Sequence, residues 1–122
     1  VVAAHVPHVI AVLNVEENCP GGLDLTDGRA LAGKMATSGA KEIVACTGSA
    51  HMPKLRRNTL SDESGSLAAA AMVQAATNVP VWAQGMFADP GRDLARARAL
   101  SLAGIVAMAP LSTCGSDVML RR

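Results

Sequence analysis

Short apolar runs alternate with longer amphipathic stretches along the chain. Val9 to Leu13 (VIAVL) is a continuous apolar run rich in β-branched residues, as in a parallel strand buried on both faces. Asn14 to Gly22 follows as a polar, turn-rich loop. Asp24 then predicts a helix N-cap, with Asp27 as its capping-box partner. Leu25, Leu31 and Met35 fall on one side of that helix, Lys34 lies near its end, and Gly39 stops it. Glu42 to Thr47 (EIVACT) reads as a second strand. His51 to Ser66 reads as a loop of about 16 residues, longer than the usual connection in such units. Ala68 to Ala76 is an alanine-rich helix, and Pro80 to Ala83 (PVWA) a third, buried strand. Gln84 to Phe87 turns the chain into a helix from Asp89 to Ala103, with Asp89 at the N-cap and Pro90 at N1. Its packing arc is Leu94, Ala95, Ala99 and Leu102, and Gly104 ends it. Ile105 to Ala109 (IVAMA) is the fourth strand, and Pro110 to Arg122 carries no clear period.

The order is therefore βαβαβαβ. It predicts a parallel sheet with helical crossovers, either doubly wound or part of a (β/α)8 barrel. No GxGxxG follows the first strand, which removes the usual sign of a dinucleotide-binding unit. In a barrel the chemistry would sit on the loops after the strands, here starting at Asn14, Gly48, Gln84 and Pro110.

Composition narrows the class. The 122 residues suit one domain, and with one Phe, one Trp and no Tyr the core must be aliphatic. Eleven basic and 10 acidic residues leave a net charge of +1, which argues against nucleic-acid or membrane-surface partners. Cys19, Cys46 and Cys114 form neither a disulfide framework nor a metal knuckle, so a reducing cytoplasm is the simplest compartment. No run reaches the ~18 apolar residues of a membrane span. The apolar opening lacks the basic start of a signal peptide, and without an initial Met it reads as the interior of a longer protein.

The densest stretch is Pro80 to Pro90, PVWAQGMFADP. A glycine between strand and helix lets backbone amides approach a ligand, and the helix start favours an anion. The plain alternative is a packed βα turn that binds nothing. His5 and His8 share a helical spacing but have no third ligand nearby, and Pro7 separates them. His51 opens the long loop, and Lys54, Arg56 and Arg57 could meet a nucleotide phosphate or simply face water. Cys46 reads as a small buried hydrophobe, and Met86 and Phe87 as a flavin-edge contact or a cap on the barrel end.

The segment LNVEENCPGGLDLTDGRALAGKMATSGAKEIVACTGSA, followed by VPVWAQGMFADP, resembles the old yellow enzyme family of NADH:flavin oxidoreductases. The shared features are an acidic loop after a strand, a GGL helix start, a strand ending in Thr-Gly, and a PVxAxG turn leading to Asp-Pro. They stand in family order from about Val9 to Leu111, nearly the whole chain. The resemblance implies a single partial (β/α)8 barrel domain over residues 1–122, roughly the fifth to eighth strands, whereas a complete barrel takes about 250 residues. It implies FMN as cofactor, NAD(P)H as reductant and an activated alkene or similar acceptor as substrate.

By the same resemblance, Gly85, Met86 and Ala109 line the FMN site, with the Gly85 and Met86 amides on the phosphate. Two family arginines are absent. Val12-Leu13 stands where one would face the flavin ring, and Ala109-Pro110 where another would hold the phosphate. Each missing guanidinium removes about 1.5–3 kcal/mol of charge-assisted bonding. No catalytic residue falls in the matched half. The expectations are thus an oxidoreductase half, inactive alone, or a non-catalytic, truncated barrel half. A different phosphate-binding barrel fragment is a third. Half a barrel leaves two open sheet edges, which predicts self-association.

Overall fold

The computed structural model describes residues 5, 7–17, 19–47, 63–85, 87 and 89–107. The elements are β1 (Ile10–Glu16), α1 (Leu25–Thr37), β2 (Glu42–Thr47), α2 (Glu63–Gln74), β3 (Val81–Gly85), α3 (Pro90–Ala99) and β4 (Gly104–Ala107). The strands form one sheet in the order β1-β2-β3-β4, every neighbouring pair parallel. Four parallel strands, side by side in chain order, are what the alternation of periods predicts. The order contains no reversal, which a doubly wound sheet would need.

α1, α2 and α3 pack on one face of this sheet. Leu13 and Val15 of β1, Ile43 and Ala45 of β2, and Val81 and Ala83 of β3 share one buried cluster with Ala32 of α1, Leu67, Ala70 and Val73 of α2, and Ala97 of α3. Successive strand side chains point to opposite faces. The residues between these, beginning with Ile10 and Val12, therefore form the other face. Ile10 is 51% exposed and Val12 63%. The expectation that the first strand is buried on both faces is corrected: β1 is covered on one side only. A continuous apolar run cannot by itself say whether both faces are covered.

β1 also continues through Asn14, Val15 and Glu16, which the sequence reading assigned to a loop. The apolar run stops at Asn14, but the alternation does not, because Asn14 lies on the uncovered side and Val15 is fully buried. Between Asn14 and Glu16 the register shifts by a bulge. There α1 crosses at close range. A Cβ on Gly28 would lie 2.1 Å from the Val15 carbonyl oxygen, so only glycine fits.

The first helix follows expectation. Asp24 and Asp27 form a reciprocal capping box, and the helix ends at Ser38 before Gly39, whose φ is +113°. Leu25, Leu31 and Met35 pack against the core around Ala32. α2 begins at Glu63, earlier than the alanine run, and takes in part of the segment read as a loop. Ser and Gly are weak helix formers, but burial of Ser66 and Leu67 overrides that preference. At its other end the Gln74 side chain accepts from the Val81 amide at 2.9 Å and donates to the Val79 carbonyl at 2.9 Å, fixing the entry of β3.

α3 departs most from the sequence reading. Asp93 and Ala97 are fully buried, while Ala95 and Ala99 are exposed. The helix stops at Ala99 with Leu100 as C-cap, Ser101 takes a φ of 62°, and Gly104 is the first residue of β4. Small Ala97 lets the helix approach the sheet, and arginines at 92 and 96 neutralise Asp93, so a carboxylate sits where an apolar residue was expected.

Candidate functional site

At the C-terminal ends of the strands, three elements converge. Thr47 ends β2, Ser66 lies in the first turns of α2, and Gly85 ends β3. Thr47 and Ser66 are both buried, their hydroxyl oxygens 3.4 Å apart, too long for a strong hydrogen bond. The space that a Cβ on Gly85 would take is bordered by Ser66 Oγ at 3.3 Å and the Phe87 ring at 3.5 Å. Phe87 is fully buried and belongs to the core. Of its two readings, the structure supports the packing one.

The start of α3 completes this end. Asp89 caps the helix by accepting from the Arg92 amide at 3.2 Å, as its position before Pro90 predicts. Asp93, in the first turn, accepts at Oδ1 from Arg92 Nε at 3.1 Å and faces Arg96 Nη1 at 3.6 Å. Its Oδ2 is buried without a hydrogen-bond partner. Such a group is costly, by about 1–3 kcal/mol or more. Two carboxylates at a helix start also oppose an anion there, since both occupy the dipole's positive end.

A second polar group stands at the other end of the sheet, on the uncovered face. Glu42, at the start of β2, accepts from Trp82 Nε1 at 2.9 Å through Oε1 and meets His8 Nε2 at 2.7 Å through Oε2. The His8 bond first, and the indole N–H second, hold the Glu42 carboxyl below the usual carboxylate range. The Trp82 ring borders Gly104, where a Cβ would come within 2.7 Å of it. Sequence reasoning missed this chain because its members are far apart in sequence. Its one signal is a glutamate heading an otherwise apolar strand.

Of the residues read as cofactor contacts, Gly85 is buried at the end of β3, while Met86 and Ala109 lie outside the described residues. So do His51, Lys54, Arg56 and Arg57. Cys46 is half-buried rather than a core residue, because its parity puts it on the uncovered face beside Asn14. His8 pairs with Glu42, and among the described residues no group of three His, Cys, Asp or Glu is placed to hold a metal. Among the same residues, no helix is long and apolar enough to cross a membrane. Compared with family models, with curated proteins and with solved structures, the chain matches none.

Proposed function

We propose that this chain is the carboxy-terminal half of an FMN-dependent oxidoreductase barrel of the old yellow enzyme type, and that it is inactive by itself. The observation that carries the reading is the winding. Four parallel strands in chain order, with α1, α2 and α3 all on one face, are the local plan of a (β/α)8 barrel, whose helices lie outside the sheet. The sequence features that resemble the family fall on the expected parts. PGGL precedes α1, Thr47 ends β2, and PVWAQG runs along β3 to Gly85.

The described residues do not fit FMN on their own. Val12, at the place of a flavin-facing arginine, presents an exposed isopropyl group. Asp89 puts a carboxylate beside the turn that would hold a phosphate, and Arg92 and Arg96 of the same helix are engaged with Asp93. A flavin site must also bury most of its ligand, and one barrel half covers one side. These features favour, as second reading, a non-catalytic barrel half that has lost its flavin.

The purified chain should be colourless and bind added FMN no tighter than roughly millimolar, about 4 kcal/mol. Flavin fluorescence titration measures this, and a micromolar constant would mean a working site. Expression of the chain with its own upstream coding sequence separates the two readings. A yellow product that oxidises NAD(P)H with an activated alkene supports the oxidoreductase, whereas a colourless, folded product supports the non-catalytic half. An upstream frame that encodes no βα units overturns the barrel reading.

A further inference from the structure

The uncovered face of the sheet is graded along the strands. Toward their N-terminal ends it carries Ile10, Val12, Val44 and Trp82, and toward their C-terminal ends the polar Asn14, Glu16 and Gln84 with Cys46 and Val106 among them. Glu42 stands at the apolar margin, already bonded to His8 and Trp82. Ile10 and Val12 are among the most exposed large hydrophobic residues of the molecule. The sheet also ends in two unlike edges. Among the described residues, neither the outer side of β1 nor that of β4 has a neighbouring strand.

We infer that two copies of this chain close on each other, β4 of each beside β1 of the other, with the uncovered faces turned inward. A two-fold axis parallel to the strands keeps all eight strands parallel. Each new joint then repeats the ladder that already links β1 to β2 and β3 to β4. The same axis lays the apolar half of one face against the apolar half of the other. A two-fold axis across the strands would set Asn14 and Gln84 against Ile10 and Trp82, and would leave two strand edges open. The two β4–β1 joints are exchanged by the axis, so the interface is isologous and closes after two copies, which ends growth.

The area is sufficient. Four strands about 4.8 Å apart and about 17 Å long present roughly 320 Å² of face per copy. With two edges of similar length on each copy, the pair buries on the order of 1,200 Å², the lower bound for a specific, stable interface. Of the two carboxylates on this face, Glu42 keeps its partners, and Glu16 is the last residue of β1, at the rim of the closed pair. The inference rests on the strand order and the uncovered face, and not on flavin chemistry. A colourless pair would retain it while the oxidoreductase reading failed, and a yellow monomer would do the reverse.

Trp82 is the only tryptophan of the chain and lies on the face in question, so it reports closure directly. The experiment is sedimentation of the intact chain at tens of micromolar (about a usual assay range for protein association), with acrylamide quenching of Trp82 over a dilution series. We expect twice the 12.4 kDa chain mass, with quenching that rises as the pair dissociates. Val12→Glu places an uncompensated carboxylate on the inner face of each copy and should weaken association about 100-fold or more while leaving circular dichroism unchanged. Met72→Lys, at an exposed site on the helix side, should leave the pair intact. A monomer at all concentrations, oligomers whose size grows without limit, or equal loss of association in both variants would overturn the inference. Should Val12→Glu fail to fold, the quenching series on the unmutated chain still decides.

Discussion

The two faces of one sheet obey different rules in this molecule. Under the helices, side chains are small or aliphatic, almost fully buried, and packed to the point where Gly28 has no room for a methyl group. On the other face Ile10, Val12 and Trp82 stand half-open among Asn14, Glu16 and Gln84, and the chain His8-Glu42-Trp82 bonds across strands rather than to a covering layer. Apolar character along a strand thus reports where burial is needed in the finished particle. It does not report where one chain alone supplies it.

The largest expected contrast comes from truncating one residue on each side. Ile43→Ala, under the helices, should cost about 3–4 kcal/mol in a urea unfolding series. Val12→Ala, measured at high dilution, should cost less than about 0.5 kcal/mol. Equal losses would mean that the uncovered face is filled within a single chain. Next in size is Gly28→Ala. Helix propensity alone would make it stabilising by roughly 1 kcal/mol, yet the Val15 backbone stands in the way. The net should be a loss of about 1–3 kcal/mol, and a gain would show that α1 can lift off the bulge without penalty. Gly104→Ala sharpens the same point from the other side. Its new methyl would meet the Trp82 ring, which can swing into open space, so stability should fall by under about 1 kcal/mol while the tryptophan emission shifts.

The smallest effect is a pH dependence. Glu42 is held below its ordinary value in the folded chain, so its contribution is present above the unfolded pKa of about 4.3 and is lost as pH falls through the lower, folded value. Melting temperatures of the parent and of Glu42→Gln should therefore converge in that acid window. A gap that widens toward acid would contradict the assigned bonds.

Much of the fold was legible because it rests on period and punctuation. Asp24, Asp27 and Gly39 bracket α1 chemically, EIVACT marks β2 to the residue, and Asp89-Pro90 starts α3. What failed depended on which face of each element the fold covers. The end of β1 was hidden because Asn14 and Glu16 are polar residues on a face that needs no cover in this chain. The buried side of α3 was hidden because Asp93 is made tolerable by arginines that are visible only once the helix is wound. Of the candidate site, the turn at Gly85 could be read from its glycine. The convergence of Thr47 with Ser66 could not, since it depends on where α2 begins.

The strand order also bears on how the chain is made. Each of the four described strands pairs only with its neighbours in sequence, so they behave as a short linear array in which βα units add one after another. Pairings of this kind close modest loops, and assembly can advance from the first units as the chain emerges during synthesis. Such an array also comes apart from its ends. β4, an edge strand of the described sheet, should exchange its amide hydrogens first, and the interior strands β2 and β3 last.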